Sequence, residues 1–437
     1  MMGALGIIVA ILVVGCAVLA AMGFKGRISV VGVDLGTTYS VIGINNGGTV
    51  EIVPDKEGHV LVPSTVAFLP EGRVAVGRAA RRYLEHDPTH TIYNAKRFIG
   101  RAAADPSLVK ELAEHDFELV ERPGNASEGW FRLDEARGHG AAVAPEGVGA
   151  RVLLHLKAMV ADHLGYDQVD KAVIAVPAKF DARQRQMTAE AYRQAGLRVM
   201  RVLEEPTAAA LAYGLHRKPD VHHILVYDFG GGTLDVSVLF VNEGSVEVEA
   251  SEGDDHLGGS DFDQCLAHHL VARLGPDLVD AGTFRRVEAC GGAMAEAHLC
   301  TQHLLYPLSE ELKRRLSDQL YSDVRCMVQR PGASSMRGGE ADVCAPANWV
   351  ETQLTVTRDE FEHACSDLFE RAMIPVDLVL EEVGLTARGV DEVVMVGGTT
   401  RIPRVRARLK EHLGVESLNT HIDPDITVAY GAATVID

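Results

Sequence analysis

The composition of this 437-residue chain predicts a globular protein with enough apolar content, 47%, for two packed lobes, and it excludes a disordered chain or a fibre. The 42 basic and 61 acidic residues give a formal charge of -19, which would repel nucleic acid and anionic lipid headgroups, and the sequence holds no basic patch of useful size. A nucleic-acid partner is therefore excluded, whereas a phosphate ligand held by backbone amides is not.

The chain opens with an apolar segment. Residues 1–24 contain no charged side chain and are long enough to cross a hydrocarbon core of about 30 Å as a helix. The segment predicts either a signal peptide cleaved after a small residue such as Ala17 or Ala20, or an uncleaved membrane anchor. A buried N-terminal helix is a third alternative, but it would have to be apolar on every face. Lys25 and Arg27 follow the segment, and the positive-inside tendency would leave that flank in the cytosol.

The next elements alternate between strands and helices. Residues 29–44 predict two strands joined by a turn after Asp34, because β-branched residues alternate with others. Apolar residues spaced by three and four predict helices over 149–165 and 182–197, with a short buried strand over 171–180 between them. This order is typical of an α/β domain.

The second half of the chain repeats this order. A second hairpin surrounds Asp228, helices are predicted over 261–274, 288–316 and 361–385, and a buried strand leads into Gly397. Two segments rich in Gly, Ser, Ala and Pro, 121–147 and 330–349, lack periodicity and predict surface excursions. We therefore divide the chain into lobe I, 29–217 with an insertion-like upper part at about 64–146, and lobe II, 218–437 with an upper part at about 258–364.

Seven cysteines are scattered through the sequence, and Cys16 lies in the apolar leader. The others are Cys265, Cys290, Cys300, Cys326, Cys344 and Cys365. No pair has CxxC spacing, which argues against a zinc site or a dense disulfide framework. We expect most of them to be ordinary small core or surface residues.

The turns that follow Asp34 and Asp228 have the composition of phosphate-binding loops. A turn that accepts phosphate needs backbone N–H groups facing one point, and small residues leave room for that approach. Threonine hydroxyls add donors, and the carboxylates of Asp34, Asp228 and Asp235 can orient water around Mg²⁺. The small and hydroxyl residues concerned are Gly36, Thr37, Thr38, Gly230, Gly231, Gly232 and Thr233.

A single Asp-x-Gly at a strand end is more often an ordinary turn than a ligand site. The second copy at the matching place in the other half, together with the Gly397-Gly398 turn, favours phosphate binding. No Walker-type GxxxxGK[ST] loop is present and no GxGxxG loop follows a strand, so the commoner nucleotide folds lack support.

Eight segments, in chain order, resemble the nucleotide-binding domain of the seventy-kilodalton heat-shock chaperone family, within the actin and sugar-kinase superfamily. They are VGVDLGTTYSVIGI, NAKRFIGR, AVPAKFDARQRQ, EEPTAAALAYGL, YDFGGGTLDVSVL, EELKRRLS, VGGTTRIPRV and DPDITVAYGAA. The resemblance implies a two-lobed, actin-like α/β ATPase fold with ribonuclease-H-like halves around a nucleotide cleft, which binds ATP or ADP with Mg²⁺ and K⁺. Because the sequence stops after AYGAATVID, it is most similar to the truncated, microsome-associated branch of the family, which lies in the endoplasmic reticulum and lacks a peptide-binding domain.

The resemblance also implies catalytic roles. Lys96 matches the lysine beside the γ-phosphate and the attacking water, where it stabilises developing charge. Glu205 matches a carboxylate that places water or a metal near the phosphate, and Thr233 matches a hydroxyl at the same reaction centre, where Asp228 is also expected.

The same resemblance assigns the cation and adenosine sites. Asp34 and Asp228 match the Mg²⁺ shell, and with Tyr39 and Asp235 they resemble a potassium environment. The residues that resemble the adenosine clamp are Glu310, Lys313, Arg314 and Ser317, and its other wall is Gly397, Gly398, Thr399, Arg401 and Asp425. Without the resemblance, the spacing of the four residues from Glu310 to Ser317 would predict a solvated, salt-bridged face of a helix.

Two positions depart from the family pattern. Asn94 stands where the family has aspartate, and Lys179 stands where an aromatic residue is usual. Pro177, Arg185 and Glu205 resemble the relay that passes the nucleotide state to the family's peptide-binding domain. With no such domain in this sequence, either a separate partner reads the relay or it persists as core packing.

Three functions are compatible with these features. The first is a slow, peptide-independent ATPase that works with co-chaperones or exchange factors, and the second is a nucleotide-gated module that binds co-chaperones with little turnover. The third, a small-molecule kinase, would need a catalytic base and a hydroxyl-binding pocket that no motif indicates. Intact Lys96 and Glu205 favour the ATPase.

Overall fold

The computed structural model describes residue 14 and residues 28–436, except 85, 114, 123–124, 276–277, 280–282, 284–286, 288–297 and 331–343. The predicted leader, residues 1–24, therefore lies outside the described residues apart from Val14. Among the helices that are described, none is both long and apolar enough to cross a membrane.

The strands are numbered in chain order. They are β1 (Val30–Leu35), β2 (Tyr39–Asn46), β3 (Thr49–Ile52), β4 (Val62–Pro63), β5 (Val66–Phe68), β6 (Val74–Val76), β7 (Thr91–Ile92), β8 (Leu119–Arg122), β9 (Asn125–Arg132), β10 (Ala142–Val143), β11 (Lys171–Val176), β12 (Arg198–Glu204), β13 (His223–Phe229), β14 (Leu234–Asn242), β15 (Ser245–Asp254), β16 (Tyr321–Gln329), β17 (Trp349–Thr357) and β18 (Glu392–Val396).

The α-helices are numbered in the same way. They are α1 (Arg78–Arg81), α2 (Pro106–Leu112), α3 (Pro145–Leu164), α4 (Ala182–Gln194), α5 (Glu205–Ala212), α6 (Gly259–Leu274), α7 (Gln302–Asp318), α8 (Arg358–Ala364), α9 (Ser366–Arg371), α10 (Ile374–Glu382), α11 (Pro403–Leu413) and α12 (Thr427–Thr434). The predicted helix over 361–385 is thus interrupted twice, at Cys365 and at Ala372–Met373.

The described residues form two compact units. Unit 1 contains the residues up to Val221, with Val241–Val248 and the residues from His421 onward, and unit 2 contains His222–Phe240 and Glu249–Thr420. The first boundary falls after Val221, close to the expected one at residue 218. The C-terminal helix α12, which was expected in lobe II, belongs to unit 1. A periodic pattern identifies a helix but not the sheet on which it packs.

Two glycines allow α12 to pack closely against β1 and α5. A Cβ at Gly32 would lie 2.3 Å from the Ala433 nitrogen, and one at Gly431 would lie 1.8 Å from the Ala208 carbonyl oxygen. Any larger residue at either position would push α12 away from β1 or α5.

The main sheet of unit 1 has the strand order β12-β11-β1-β2-β3. Strand β1 runs parallel to β11 and antiparallel to β2, so the β1–β2 hairpin predicted around Asp34 is present. Strand β11 reads Lys-Ala-Val-Ile-Ala-Val and is buried along nearly its whole length, as expected for a strand covered on both faces.

The main sheet of unit 2 has the order β15-β14-β13-β18, which repeats the hairpin-plus-parallel-strand arrangement of unit 1. Strand β13 is antiparallel to β14 and parallel to β18, so the hairpin predicted around Asp228 is also present. Its core is formed by strand residues such as Leu225 and Val236 and by helix residues such as Phe262 and Leu312.

The segment 121–147 is structured rather than a loose surface excursion. Strands β8, β9 and β10 form a three-stranded sheet that covers much of it, and Phe131 is fully buried. The Phe131 ring centroid lies 5.3 Å from that of Phe98 and 5.1 Å from that of Phe117. The sequence did not predict this sheet because two of its strands are short and part of its core comes from residues earlier in the chain.

The expectation that the cysteines are mostly unpaired is wrong. Cys265 on α6 is bonded to Cys365, and Cys300 is bonded to Cys326 on β16. Cys344 is also disulfide-bonded, whereas Cys16 and Cys290 lie outside the described residues. A separation of 100 residues between two cysteines gives no local pattern, so this pairing could emerge only from the folded chain.

Candidate functional site

The first turn, after Asp34 at the end of β1, is packed too tightly for a side chain at Gly36. A Cβ there would lie 2.1 Å from the Tyr39 carbonyl oxygen. Ser64 fixes the turn from outside: its hydroxyl donates to the Gly36 carbonyl at 2.8 Å, and its backbone N–H donates to the Thr38 carbonyl at 2.9 Å. Ser64 was not predicted as a site residue, since nothing in its local context distinguishes it from other loop serines.

Lys96 and Glu205 form a close ion pair in unit 1. The Lys96 ammonium donates to Glu205 Oε1 at 2.6 Å, and the two side chains are only 12% and 13% exposed. Glu205 is the first residue of α5 and directly follows β12. Lys96 lies in a 3₁₀ turn entered through Asn94, whose left-handed backbone (φ 54°) suits asparagine better than most residues.

Asp34 belongs to the same electrostatic group as this ion pair. Burial raises the pKa of Asp34 to about 7, the positive charge of Lys96 opposes that rise, and the negative charge of Glu205 adds to it. The structure thus brings together three of the predicted residues, one cation and two carboxylates. A pKa near 7 lets Asp34 lose its proton readily when a cation binds.

The second turn, Gly230 to Thr233, is held by bonds from several elements of unit 2. The Gly230 N–H donates to the Thr233 carbonyl at 2.9 Å, and the buried Thr399 hydroxyl donates to the Gly230 carbonyl at 2.7 Å. Gly397, at φ 79°, makes room for the turn, since a Cβ there would lie 2.4 Å from the Phe229 carbonyl oxygen. Thr399 therefore braces the phosphate-type turn, a role that the sequence did not predict for it.

The N-terminus of α6 lies against this turn. A Cβ at Gly258 would lie 2.3 Å from the Gly232 nitrogen, and the Ser260 N–H donates to the Gly231 carbonyl at 2.8 Å. The backbone N–H groups at the start of a helix favour negative charge. In the sequence, the Leu257-Gly258-Gly259 run just before a helical pattern could have indicated this helix N-terminus.

Lys313 links α7 to α6. Its ammonium lies 2.8 Å from Asp263 Oδ1 and donates to the Gly259 carbonyl at 2.7 Å. Burial raises the pKa of Asp263 to about 6, and the Lys313 charge opposes that rise. Lys313 thus lies beside the α6 N-terminus, and its partner Asp263 was not predicted from the sequence.

The other predicted clamp residues are divided between the two units. Glu310, Lys313 and Ser317 are half-buried on α7, whereas Arg314 is exposed on the same helix. Gly397, Gly398, Thr399 and Arg401 follow β18 in unit 2. Asp425, which was grouped with them from sequence, lies in unit 1 just before α12.

Asp228 and Asp235 are direct cross-strand partners at the end of the β13–β14 hairpin. Like charges directly opposite each other in an antiparallel pair are destabilising, and a cation between them relieves the repulsion. Carboxylate oxygens at the mouth of a glycine turn are ligands suited to hydrated Mg²⁺. The residues present therefore fit the magnesium ion that the resemblance implies.

The two units share one arrangement, in which a central strand leads through an acidic residue into a glycine turn before an antiparallel partner. This arrangement defines the actin-like α/β class of phosphate-binding proteins. The Hsp70 protein family matches residues 30–437, so the chain belongs to that family. Hsp70 ATPase domains have the two-lobed, actin-like fold and bind ATP or ADP with Mg²⁺.

Curated relatives give the same family. The chain is 39% identical over 406 residues to heat shock 70 kDa protein BIP3 of Oryza sativa subsp. japonica, covering 93% of this chain and 56% of the relative. It is 38% identical to heat shock 70 kDa protein 13 of Mus musculus and 37% identical to that of Bos taurus, covering 92% of this chain and 87% of each relative. The chain thus spans only about half of the rice protein but most of the two mammalian ones.

Proposed function

We propose that this chain is a slow ATPase of the Hsp70 type that turns over without peptide. The observation that carries the proposal is the Lys96–Glu205 ion pair in electrostatic contact with Asp34. Lys96 stabilises the charge that develops on the transferring phosphate, and Glu205 holds the lysine in place and orients the attacking water. Asp228 and Asp235 would hold Mg²⁺, which would supply positive charge against the phosphate oxygens.

The glycine turns and helix N-terminus supply the remaining binding groups. Within unit 1, we assign phosphate contacts to the turn at Gly36 and a cation ligand to Asp34. Within unit 2, we assign phosphate contacts to the turn at Gly230, Mg²⁺ ligands to Asp228 and Asp235, and adenosine contacts to Lys313 and its neighbours. Potassium near Tyr39 is a further assignment from the family resemblance. Because such sites act mainly by positioning and electrostatics, catalysis depends on few side chains.

The test is phosphate release from ATP by the full chain and its Lys96→Ala variant. We expect turnover to fall by about two orders of magnitude in the variant, as for loss of one transition-state donor. Lys56→Ala is the matched control, because Lys56 forms an ion pair with Asp162 at 3.0 Å but is 81% exposed. Full turnover in Lys96→Ala would remove the lysine from the chemistry, and nucleotide binding without turnover in the wild type would favour the binding-module alternative.

We also propose that the domain works in an oxidising compartment, the lumen of the endoplasmic reticulum, where co-chaperones and exchange factors would be its partners. The Cys265–Cys365 and Cys300–Cys326 disulfides support this assignment, since disulfides persist in such compartments and are rare in the cytosol. The basic flank of the leader argues for the cytosol. Protease protection of a C-terminal tag in intact microsomes distinguishes the lumen from the cytosol. A protected tag supports the lumen, and a digested tag contradicts it.

A further inference from the structure

The segment that joins β15 to α6 contacts the second glycine turn at both of its ends, and we call residues 253–260 the bracing segment. At its start, a Cβ on Gly253 would lie 2.4 Å from the carbonyl oxygen of Leu234, the residue that directly follows the turn. At its end, the Gly259 N–H donates to the Gly230 carbonyl at 3.1 Å. The position of the bracing segment therefore constrains the position of the turn.

Arg371, the last residue of α9, binds the middle of the bracing segment. Its guanidinium makes a two-point bond to Asp254, in which Nε donates to Oδ2 at 2.6 Å and Nη2 donates to Oδ1 at 2.7 Å. Nη2 also donates to the His256 carbonyl at 3.1 Å, and the His256 N–H donates to Asp254 Oδ1 at 3.0 Å. One side chain thus holds a carboxylate and a backbone carbonyl that lie two residues apart in the segment.

This contact supplies orientation more than stability. The Arg371 and Asp254 side chains are 40% and 22% exposed, and ion pairs at such exposure contribute little to the free energy of unfolding. A two-point bond between arginine and carboxylate, in contrast, fixes the geometry of both groups. Glycine at positions 253, 258 and 259 gives the bracing segment backbone freedom, so its position has to be fixed by contacts from other elements.

We propose that Arg371 is a positioning residue of the second phosphate turn. By fixing Asp254 and the His256 carbonyl, it holds the bracing segment in the position where its far end stays bonded to the turn, and the turn in the position that receives a phosphate. Arg371 touches neither nucleotide nor metal in this scheme. The effect on nucleotide affinity rests on the function proposed above, whereas the hold on the bracing segment does not.

The first test is the steady-state kinetics of ATP hydrolysis by Arg371→Met. The turn contacts phosphate in the ground state and in the transition state alike, so we expect KM to rise about tenfold while kcat changes less than about twofold. General destabilisation would instead reduce the active fraction, which lowers the apparent kcat at constant KM. That result, or unchanged kinetics, would overturn the proposal.

Arg273→Met is the matched control. The Arg273 side chain is 33% exposed, and its Nη1 donates to the Thr355 carbonyl at 2.7 Å and lies 3.5 Å from Glu360 Oε1. It therefore has the same kinds of partner in the same unit, but it lies near the C-terminal end of α6 rather than beside the turn. We expect its KM to match that of the wild type, and a rise equal to that of Arg371→Met would overturn the specific role of Arg371.

Asp254→Asn removes the two-point bond from the other side. If Arg371 acts through Asp254, this variant should raise KM about as much as Arg371→Met does, and the double variant should raise it no further. Multiplication of the two single effects in the double variant would contradict the proposed route.

The second test does not depend on turnover. Amide hydrogen exchange followed by NMR reports the opening of individual backbone bonds. In Arg371→Met we expect the Gly259 and Ser260 amides to exchange about tenfold faster, while the Val226 amide in the centre of β13 keeps its rate. Unchanged exchange at Gly259 and Ser260, or equal acceleration at all three amides, would overturn the hold on the bracing segment. Faster exchange at Gly259 and Ser260 alone, in a chain whose wild type does not hydrolyse ATP, would contradict the proposed function and support the hold.

Discussion

The Lys96 ammonium lies 2.6 Å from Glu205 Oε1, although 108 residues separate the two in the sequence. Breaking such a shielded pair from one side leaves a charge unpaired, so Lys96→Ala should lower the free energy of unfolding by about 2–4 kcal/mol as well as reduce turnover. A double-mutant cycle with Glu205→Ala separates the two effects. We expect the double variant to be more stable than Lys96→Ala, yet no more active; simple addition of the two single effects would contradict this coupling.

Nucleotide binding should release protons from Asp34. Its pKa of about 7 means that the carboxyl is roughly half protonated at pH 7, and coordination to a cation requires the deprotonated form. We therefore expect about half a proton to be released per Mg²⁺·ADP at pH 7, and affinity to rise about tenfold between pH 6 and pH 8.

Calorimetry in two buffers with different ionisation enthalpies measures the proton release. The Asp34→Asn variant is the control and should release none. Equal heats in both buffers for the wild type would show that Asp34 is already ionised before the cation arrives.

Gly397 should tolerate alanine far less well than Gly414, although both have a positive φ (79° and 66°). A Cβ at Gly397 would lie 2.4 Å from the Phe229 carbonyl oxygen, whereas a Cβ at Gly414 meets nothing within 4 Å. Gly414→Ala should cost about 1 kcal/mol from backbone strain alone. Gly397→Ala should cost more than this and weaken ADP binding; equal melting temperatures for the two variants would show that the Gly230 turn can move aside.

Lys313→Met should destabilise the protein more at pH 8 than at pH 5. The pKa of Asp263 in the folded protein, about 6, exceeds its ordinary value of 3.8, so its protonation stabilises the fold at low pH and this contribution is lost as pH rises to 6. In Lys313→Met, the pKa of Asp263 rises further because the opposing positive charge is lost. At pH 8, the ionised fraction of Asp263 then lacks its Lys313 partner. We expect a loss of about 2–4 kcal/mol at pH 8 and a much smaller one at pH 5.

Urea unfolding at the two pH values measures this difference. Arg315→Met is the control, because Arg315 pairs with Glu311 on the exposed face of the same helix. Its effect should be below about 1 kcal/mol at both pH values. A pH-independent loss in Lys313→Met would mean that its role is packing rather than charge.

Non-reducing peptide mapping should join the peptide that contains Cys265 to the one that contains Cys365. Replacing both by serine removes a cross-link across 100 residues, which lowers the free energy of unfolding by about 2–5 kcal/mol. Treatment with dithiothreitol should lower the melting temperature of the wild type but leave that of a variant lacking all its disulfide cysteines unchanged. Free thiols at both positions in protein from microsomes would contradict the oxidising compartment.

Much of the site could be predicted from local sequence. The turns at Asp34 and Asp228 lie at strand ends, as alternation of β-branched residues and the following glycines indicated. Tight turns depend on the backbone freedom of a few neighbouring residues, so their signal is local. The roles of Lys96 and Glu205 came from the family resemblance, and the structure supplies the contact between them.

Periodicity and short motifs were enough to predict the family, the repeated strand-turn-strand arrangement and most of the helices. The folded chain was needed to show that α12 joins unit 1, that Cys265 pairs with Cys365, that Asp263 partners Lys313 and that the buried Tyr192 hydroxyl has no hydrogen-bond partner among the described residues. Each of these depends on which distant residues become neighbours. That information resides in the packing of elements and in the desolvation it causes, and no local pattern records it.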